Sequence, residues 1–107
     1  MDMKKIMNIY LKAKIKEIYI TGRKLECDGS LTLDEDIMDK LGVSKYEQVF
    51  INSKHGKGRI MTYLLPGSRG THVCELNGGA GNHFNIDEIV HLLIFAISDT
   101  PINPVIL

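Results

Sequence analysis

The chain has 107 residues, with 44% hydrophobic and 24% charged side chains, which fits one globular domain and excludes a disordered chain. Thirteen basic and thirteen acidic side chains cancel, so no net field attracts nucleic acid or an anionic membrane, and we expect neither partner. Two cysteines outside any CxxC pair predict a reducing, cytoplasmic environment.

The first predicted element is a strand over residues 11–20, LKAKIKEIYI. Apolar residues and lysines alternate in its first half, with the period of two that is typical of a half-buried strand. The alternation slips at Glu17, which predicts a β-bulge, and a helix over residues 6–14 is the alternative interpretation. One face of the strand carries three lysines that either form a solvated surface or receive an anionic substrate: Lys12, Lys14 and Lys16.

The middle of the chain predicts a turn, a short helix and a hairpin. Gly29-Ser30 fits a turn before a short alternating strand. The segment DEDIMDKLG then predicts a helix that Asp34 caps and Gly42 ends. Two apolar runs, residues 47–53 and 58–66, flank a glycine-containing turn and predict a β-hairpin.

The last third of the chain predicts two more strands and a tail. We predict a strand over residues 71–77, a glycine-rich loop over residues 77–82 and a final long strand over residues 89–97. An extended tail follows over residues 101–107. Many short strands separated by turns, with one or two short helices, are typical of a small β-barrel or β-sandwich. We therefore predict a mainly β fold and a single domain over residues 1–107, with residues 1–8 as an N-terminal extension.

Several polar residues are candidates for chemistry. The four histidines show no metal-ligand spacing, so we predict no metal site. The loop Asn77–Gly81 presents backbone N–H groups that can bind an anion, but it lacks the glycine spacing of nucleotide-binding loops. On the second strand of the hairpin, Arg59, Met61 and Tyr63 share one face and Thr62 points to the other. An arginine can hold a carboxylate and a tyrosine can donate a proton, whereas an ordinary polar strand face is the alternative.

The Gly29-Ser30 step has a second interpretation besides a turn. A serine hydroxyl can attack the carbonyl carbon of the preceding residue, and a glycine there leaves the approach open. Elimination from the resulting ester would release the first fragment and leave dehydroalanine, which hydrolyses to a pyruvoyl group. That ketone can condense with an amine and accept electrons, as pyridoxal phosphate does.

These pieces, in this order, resemble the pyruvoyl-dependent aspartate 1-decarboxylase family, which makes β-alanine for pantothenate. The resemblance runs from about Leu11 to Thr100 and implies a carboxy-lyase that converts L-aspartate to β-alanine and CO₂. The matching residues are Lys14 on the first strand, the Asp28-Gly29-Ser30 step, Arg59-x-x-Thr62-Tyr63, and Asn77-Gly78.

The resemblance also implies a fold, an assembly and residue roles. It predicts a six-stranded double-psi β-barrel in a homotetramer, with active sites between neighbouring subunits, cleavage between Gly29 and Ser30, and a pyruvoyl cofactor derived from Ser30. By the family pattern, Lys14 and Arg59 hold the substrate carboxylates, and Tyr63 donates a proton to the carbanion that decarboxylation leaves. Thr62 polarises the carbonyl that the serine attacks. The pocket lining is completed by Asn77, Gly78 and Gly79.

Two positions depart from the family pattern. Lys16 stands where the family usually has a histidine, and Cys27 stands where it usually has a tyrosine. These changes imply a more cationic pocket, maturation that is slow or needs a partner protein, or a different acidic substrate such as glutamate. An uncleaved, non-enzymatic barrel is the alternative from another functional class.

Overall fold

The computed structural model describes residues 5–26 and 28–107. Its elements are β1 (Asn8–Tyr19), β2 (Gly22–Lys24), β3 (Ser30–Asp34), α1 (Glu35–Leu41), β4 (Gln48–Ser53), β5 (Arg59–Gly67), β6 (Cys74–Asn77), a 3₁₀-helix (Gly78–His83), β7 (Ile89–Ser98) and β8 (Val105–Ile106). The predicted mainly β fold with short helices is confirmed, and it is consistent with a small β-barrel. Cys27 and the start of the N-terminal extension lie outside the described residues.

The strands of the described residues follow the order β2-β6-β3-β5-β4-β7-β1-β8. The longest pairing joins β1 and β7 in antiparallel fashion, from Asn8 opposite Ser98 to Tyr19 opposite Ile89. The predicted hairpin of β4 and β5 is confirmed, and β4 also pairs with β7. Strand β3 runs parallel to β5 and antiparallel to β6. This arrangement places the start of β3 beside the end of β6.

Strand β1 contains two irregularities, one of them at the predicted bulge. The register against β7 shifts between Ile15 and Ile18, around Glu17, and it also shifts between Leu11 and Ala13. The helical alternative for this segment is therefore wrong. At the first shift Lys12 leaves the ladder, and its Nζ lies 2.7 Å from Glu47 Oε1. The predicted three-lysine face is consequently reduced to the last two lysines.

Helix α1 begins and ends where the sequence predicts. The Asp34 side chain accepts a hydrogen bond of 2.9 Å from the backbone N–H of Asp36, which caps the first turn. Gly42 has a φ of 69° and donates its N–H to the Asp39 carbonyl at 3.1 Å. A glycine suits this end because the left-handed conformation crowds any side chain with a Cβ.

The glycine-rich segment differs from the prediction, because it forms a 3₁₀-helix instead of an open loop. Gly78 has a φ of 67° and turns the chain out of β6. At Gly81 an added Cβ would lie 2.7 Å from Leu25 Cδ2, so this position is in close contact with the β2 side of the sheet. The preceding strand is also shorter than predicted, since the left-handed His72, with a φ of 59°, interrupts the extended chain before Cys74.

The C-terminal tail pairs with its own chain. Ala13 lies opposite Val105 and Lys14 opposite Ile106, in parallel register. The N–H of Leu107 donates to the Lys14 carbonyl at 2.8 Å, and the N–H of Lys16 donates to the Leu107 carbonyl at 2.9 Å. Strand β8 therefore covers the edge of β1 next to the two remaining lysines.

Two faces of the sheet have opposite character. One packs into a core that includes α1, and its fully buried large side chains are Phe84, Ile20, Leu31, Leu33, Leu41, Ile51, Leu64, Leu76, Leu92, Ile94, Val49 and Val90. The other face exposes large apolar side chains from β1, β5 and β7. We call it the outer apolar face and define it by Ile9, Met61, Phe95 and Ile97.

Candidate active site

Ser30 is the first residue of β3, and the pairing with β6 places it directly opposite Asn77. Its side chain is buried, and the Asn77 amide nitrogen donates to Ser30 Oγ at 2.7 Å and to Thr32 Oγ1 at 3.0 Å. An amide nitrogen carries two hydrogens, so both are used and both hydroxyl oxygens act as acceptors. The Ser30 oxygen is thereby fixed while its own proton remains available to another group, as a nucleophile requires.

A cavity of about 430 Å³ lies beside this hydroxyl. We call it the Ser30 cavity; the described residues that line it are Lys24, Asp28, Ser30, Thr32, Tyr46, Tyr63, Leu65, Glu75 and Asn77. The lining combines a buried hydroxyl, an amide, two phenols, two carboxylates and an ammonium group. The volume of this cavity falls in the size range of small-molecule sites.

The chain contains two Gly-Ser steps, and their surroundings differ. Gly29 is exposed just before β3, and an added Cβ would meet no described atom within 4 Å. At Gly67 an added Cβ would lie 2.5 Å from Val73 Cγ1, and Ser68 is exposed. Packing therefore requires glycine at the second step and not at the first. The buried, hydrogen-bonded hydroxyl belongs to the first step.

Tyr63 brings a phenol into the Ser30 cavity from β5. Its ring is half-buried, and the ring of Tyr46 stands beside it with centroids 6.1 Å apart and planes inclined by 55°. Among the residues predicted from the sequence, the structure brings together Ser30, Tyr63 and Asn77 in one cavity. A serine hydroxyl and a tyrosine phenol therefore face the same space.

Two other predicted residues of β5 point elsewhere. Thr62 pairs with the fully buried Val49, so it faces the inner side of the sheet, opposite to Tyr63, and it is not in the described lining of the Ser30 cavity. Arg59 is exposed opposite Asn52 and lines a separate depression next to the outer apolar face. Within one chain, neither side chain joins Ser30.

Lys14 also lies away from Ser30. It is half-buried on β1 and lines a third cavity, of about 580 Å³, with Lys16, Glu17, His91 and Leu107. The imidazole Nδ1 of His91 is hydrogen-bonded to the Lys16 carbonyl, which makes that nitrogen the donor. The two lysines give this cavity a cationic wall, and Leu107, the residue after β8, contributes to its lining.

Gly78 and Gly79 begin the 3₁₀-helix that follows Asn77. Gly78 is buried and turns the chain, whereas Gly79 is exposed, and an added Cβ there would meet no described atom within 4 Å. The predicted open loop of N–H groups is thus replaced by the first turn of a helix. Both glycines adjoin the Ser30 cavity through Asn77, without appearing in its described lining.

Sequence reasoning missed several residues of the cavity. Thr32 and Glu75 lie opposite each other on β3 and β6, and Lys24 Nζ is 3.5 Å from Glu75 Oε1. The period of two could have found the first pair, because it places Thr32 on the face of Ser30 and Glu75 on the face of Asn77. No sequence pattern indicated Lys24 or Tyr46, because only the folded chain brings their segments to the cavity.

Three further observations concern metal ligands, membrane-spanning helices and the thiol of Cys74. Within residues 5–26 and 28–107, no three histidine, cysteine or acidic side chains form a group that could hold a metal ion. No helix in those same ranges has the length and apolar character needed to cross a membrane. Burial raises the pKa of the Cys74 thiol to about 12, so this thiol stays protonated and is a poor nucleophile.

Comparisons with known proteins agree on one family. Residues 6–104 match the family model described as aspartate decarboxylase. A protein of Thermotoga sp. (strain RQ2) named aspartate 1-decarboxylase is 36% identical over 97 residues, which cover 91% of this chain and 85% of the relative. Proteins of the same name from Exiguobacterium sibiricum and Porphyromonas gingivalis are 34% identical over 91 residues and 37% identical over 86 residues. These alignments cover 85% and 80% of this chain, and 72% and 73% of the relatives.

Proposed function

Because the chain belongs to the aspartate decarboxylase family, we propose that Ser30 becomes the pyruvoyl group with which the enzyme works. The enzyme is a carboxy-lyase that converts L-aspartate to β-alanine and CO₂. A pyruvoyl group supplies a carbonyl that binds the substrate amine and accepts the electrons left when CO₂ departs. The observation that carries the proposal is the buried Ser30 hydroxyl, fixed at 2.7 Å from Asn77 Nδ2 beside the cavity that receives Tyr63.

The proposed maturation consumes the peptide bond between Gly29 and Ser30. Ser30 Oγ loses its proton and attacks the Gly29 carbonyl carbon, the C–N bond breaks, and the released nitrogen takes a proton to leave an ester. Elimination then removes the Ser30 α-proton and breaks the Cβ–Oγ bond, which frees the carboxylate of Gly29. Water replaces the nitrogen of the resulting dehydroalanine and releases ammonia.

Neighbouring groups of the chain would assist both the maturation of Ser30 and the later decarboxylation of the substrate. The Asn77 amide holds the Ser30 oxygen during attack, and Tyr63 donates a proton to the substrate carbon after CO₂ leaves. Backbone N–H groups of Gly78 and Gly79 would stabilise developing negative charge next to Asn77. The proposed role of Thr62, polarising the Gly29 carbonyl, requires that carbonyl to approach β5 from the side opposite to Tyr63.

We also propose that the site is completed by other copies of the chain, in a homotetramer. Lys14 and Arg59, which would hold the substrate carboxylates, line two cavities separate from that of Ser30. The outer apolar face lies on the same strands as these two residues, and exposed apolar surface of this kind marks an interface. A neighbour packed on this face can bring its cationic side chains to a Ser30 cavity.

We also propose that the protein works in the cytoplasm. The buried free thiol of Cys74 fits a reducing cytoplasm.

The first experiment is intact-mass measurement of purified Ser30→Ala, with Ser68→Ala as the matched control. We expect wild-type protein and S68A to yield fragments of 29 and 78 residues, the larger blocked to N-terminal sequencing. S30A should remain one chain of 107 residues and lose aspartate decarboxylation by at least about a thousandfold, because the nucleophile is gone.

Three outcomes separate the possibilities. Cleavage of S30A at the same bond would refute the serine mechanism. A wild-type chain that is cut only after cell extract is added would assign the first step to a maturation partner. Full aspartate turnover by an uncut wild-type chain would contradict the pyruvoyl proposal and leave the family assignment untouched.

A further inference from the structure

Tyr46 is the third residue of a turn that the Glu47 N–H closes by donating to the Ser44 carbonyl at 3.2 Å. Its φ is +75°, in the left-handed region that side chains with a Cβ rarely occupy. Neighbouring groups hold this conformation: the Tyr46 N–H donates to the Leu64 carbonyl at 2.8 Å, and the Leu64 N–H donates to the Glu47 carbonyl at 2.9 Å. Backbone strain of this kind is concentrated at functional sites, so an observed case justifies asking what it positions.

The residue that follows Tyr46 anchors the segment from a second side. The Glu47 carboxylate accepts hydrogen bonds from the Ser44 N–H at 2.5 Å and from Lys12 Nζ at 2.7 Å. Burial raises the pKa of this carboxyl, but the bonds from Lys12 and Ser44 lower it by more, so the net pKa is below its ordinary value. The segment is thus tied to β1 and β5, which fixes where the Tyr46 ring stands.

Core packing does not explain the position of the ring. The Tyr46 side chain is 64% exposed, so little apolar surface is removed from water to offset the strained backbone. Its ring stands beside Tyr63 and lines the Ser30 cavity. Tilted aromatic pairs at this distance attract each other and restrict each other's orientation.

We propose that Tyr46 is a positioning residue for decarboxylation, whose ring holds Tyr63 so that the phenol hydroxyl stays directed into the Ser30 cavity. The inference rests on the proposed role of Tyr63 as proton donor. It assigns no chemistry to the Tyr46 hydroxyl. The ring acts on turnover, and we expect substrate binding to depend on it much less.

The decisive variant is Tyr46→Gly, because glycine adopts a positive φ without the cost of a Cβ and removes the ring. Tyr46→Phe keeps the ring, and Tyr19→Ala removes an exposed tyrosine on β1 as the matched control. We would measure the cleaved fraction by intact mass, kcat and KM per cleaved chain, the thermal midpoint, and the assembly state by sedimentation.

We expect Y46G to cleave, to assemble and to melt at or above the wild-type temperature, while kcat falls about three- to tenfold and KM changes less than about twofold. Y46F and Y19A should keep the wild-type kcat. Wild-type kcat in Y46G would overturn the inference, as would an equal loss in Y46F, which would assign the effect to the hydroxyl. A Y46G chain that stays uncut would also overturn it, because the ring would then serve maturation. Full activity in Tyr63→Phe would instead refute the proposed proton donor.

Discussion

The hydroxyl of Ser30 takes its chemical setting from a residue 47 positions away in the sequence. Asn77 donates one amide hydrogen to Ser30 and the other to Thr32. The two hydrogen bonds are structurally similar and differ in which hydroxyl group they fix. Because one bond concerns the proposed nucleophile and the other does not, a variant that loses both bonds can be compared with one that loses only the Thr32 bond. The difference between the two variants isolates the contribution of the contact with Ser30.

We expect Asn77→Ala to slow cleavage of the Gly29-Ser30 bond by about tenfold or more, because no donor then fixes the attacking oxygen. Thr32→Val is the matched control, since it removes the second bond and keeps the first. The cleaved fraction is followed by intact mass during warm incubation of freshly purified protein. Equal slowing in the two variants would mean that the amide stabilises the strand pair and has no specific effect on Ser30.

A glycine-serine dipeptide alone does not predict which serine is buried and hydrogen-bonded. Gly29-Ser30 and Gly67-Ser68 are indistinguishable as pairs, and both occur at turns. Only the antiparallel pairing of β3 with β6, between segments distant in the sequence, buries the hydroxyl of one and gives it a donor. The resemblance could therefore name the proposed cleavage site, but the glycine-serine pair alone could not.

At the scale of elements, charged side chains join the start of α1 to the segment that follows β5. The carboxyl of buried Asp34 accepts from the backbone N–H groups of Asp36, Gly70 and His72. Burial raises its pKa, but these three donors lower it by more, so the net pKa is below the ordinary value. On the helix surface Arg69 contacts Asp36 and Asp39, which raise the pKa of its guanidinium further.

The lowered pKa of Asp34 predicts how stability depends on pH. A carboxyl with a depressed pKa in the folded state contributes stability above its unfolded pKa, near 3.9, and this contribution is lost as the pH falls through the folded value. We expect Asp34→Asn to lower the thermal midpoint at pH 7 by about 5 °C. The difference from wild type should shrink as the pH falls below about 4, when the wild-type carboxyl also becomes neutral.

Asp39→Asn is the control for this series, because it removes an exposed carboxylate of the same helix. Exposed ion pairs contribute little, so its thermal midpoint should stay within about 2 °C of wild type at each pH. Thermal unfolding followed by circular dichroism between pH 3 and pH 7 provides the measurement. A difference between D34N and wild type that is as large at pH 3 as at pH 7 would contradict the assignment.

Elements governed by local rules were predictable, and those governed by distant contacts were not. The cap at Asp34, the left-handed Gly42 and the bulge at Glu17 are local consequences of residue type and periodicity. Strand β8 forms because β1 offers an edge with which it can pair. The 3₁₀-helix begins at the left-handed Gly78 and packs against Arg23 of β2 at Gly81. Neither partner is adjacent in the sequence, so composition and spacing predicted only an extended tail and a loop.

At the scale of the whole molecule, the predicted site is divided among separate cavities of one chain. Sequence order and family pattern could name Ser30, Tyr63, Lys14 and Arg59, but they carry no information on which of these share a cavity within one copy. The described residues place Tyr63 with Ser30 and put the two cationic residues elsewhere. The same division provides a direct test of the proposed assembly.

Two inactive variants should restore activity to each other only when a single site takes the two altered residues from different chains. In the proposed assembly, a Lys14→Ala chain would still cleave at Ser30, and a Ser30→Ala chain would still supply Lys14 to its neighbour. When the two variants are refolded together in equal amounts, random pairing in a symmetric assembly predicts about one quarter of wild-type aspartate turnover. The measurement is β-alanine formation by the mixture, against each variant refolded alone.

The matched control mixes Ser30→Ala with Tyr63→Phe. Because Ser30 and Tyr63 line one cavity of the same chain, every cavity in this mixture lacks one of them, and activity should stay at the level of the separate variants. Recovery in this control would mean that the proton donor comes from a neighbour. Failure of the Lys14 and Ser30 pair to recover, with mixed assemblies present by sedimentation and mass, would place both residues in one copy's site. The chain would then have to bring β1 to the Ser30 cavity by a change in its own fold.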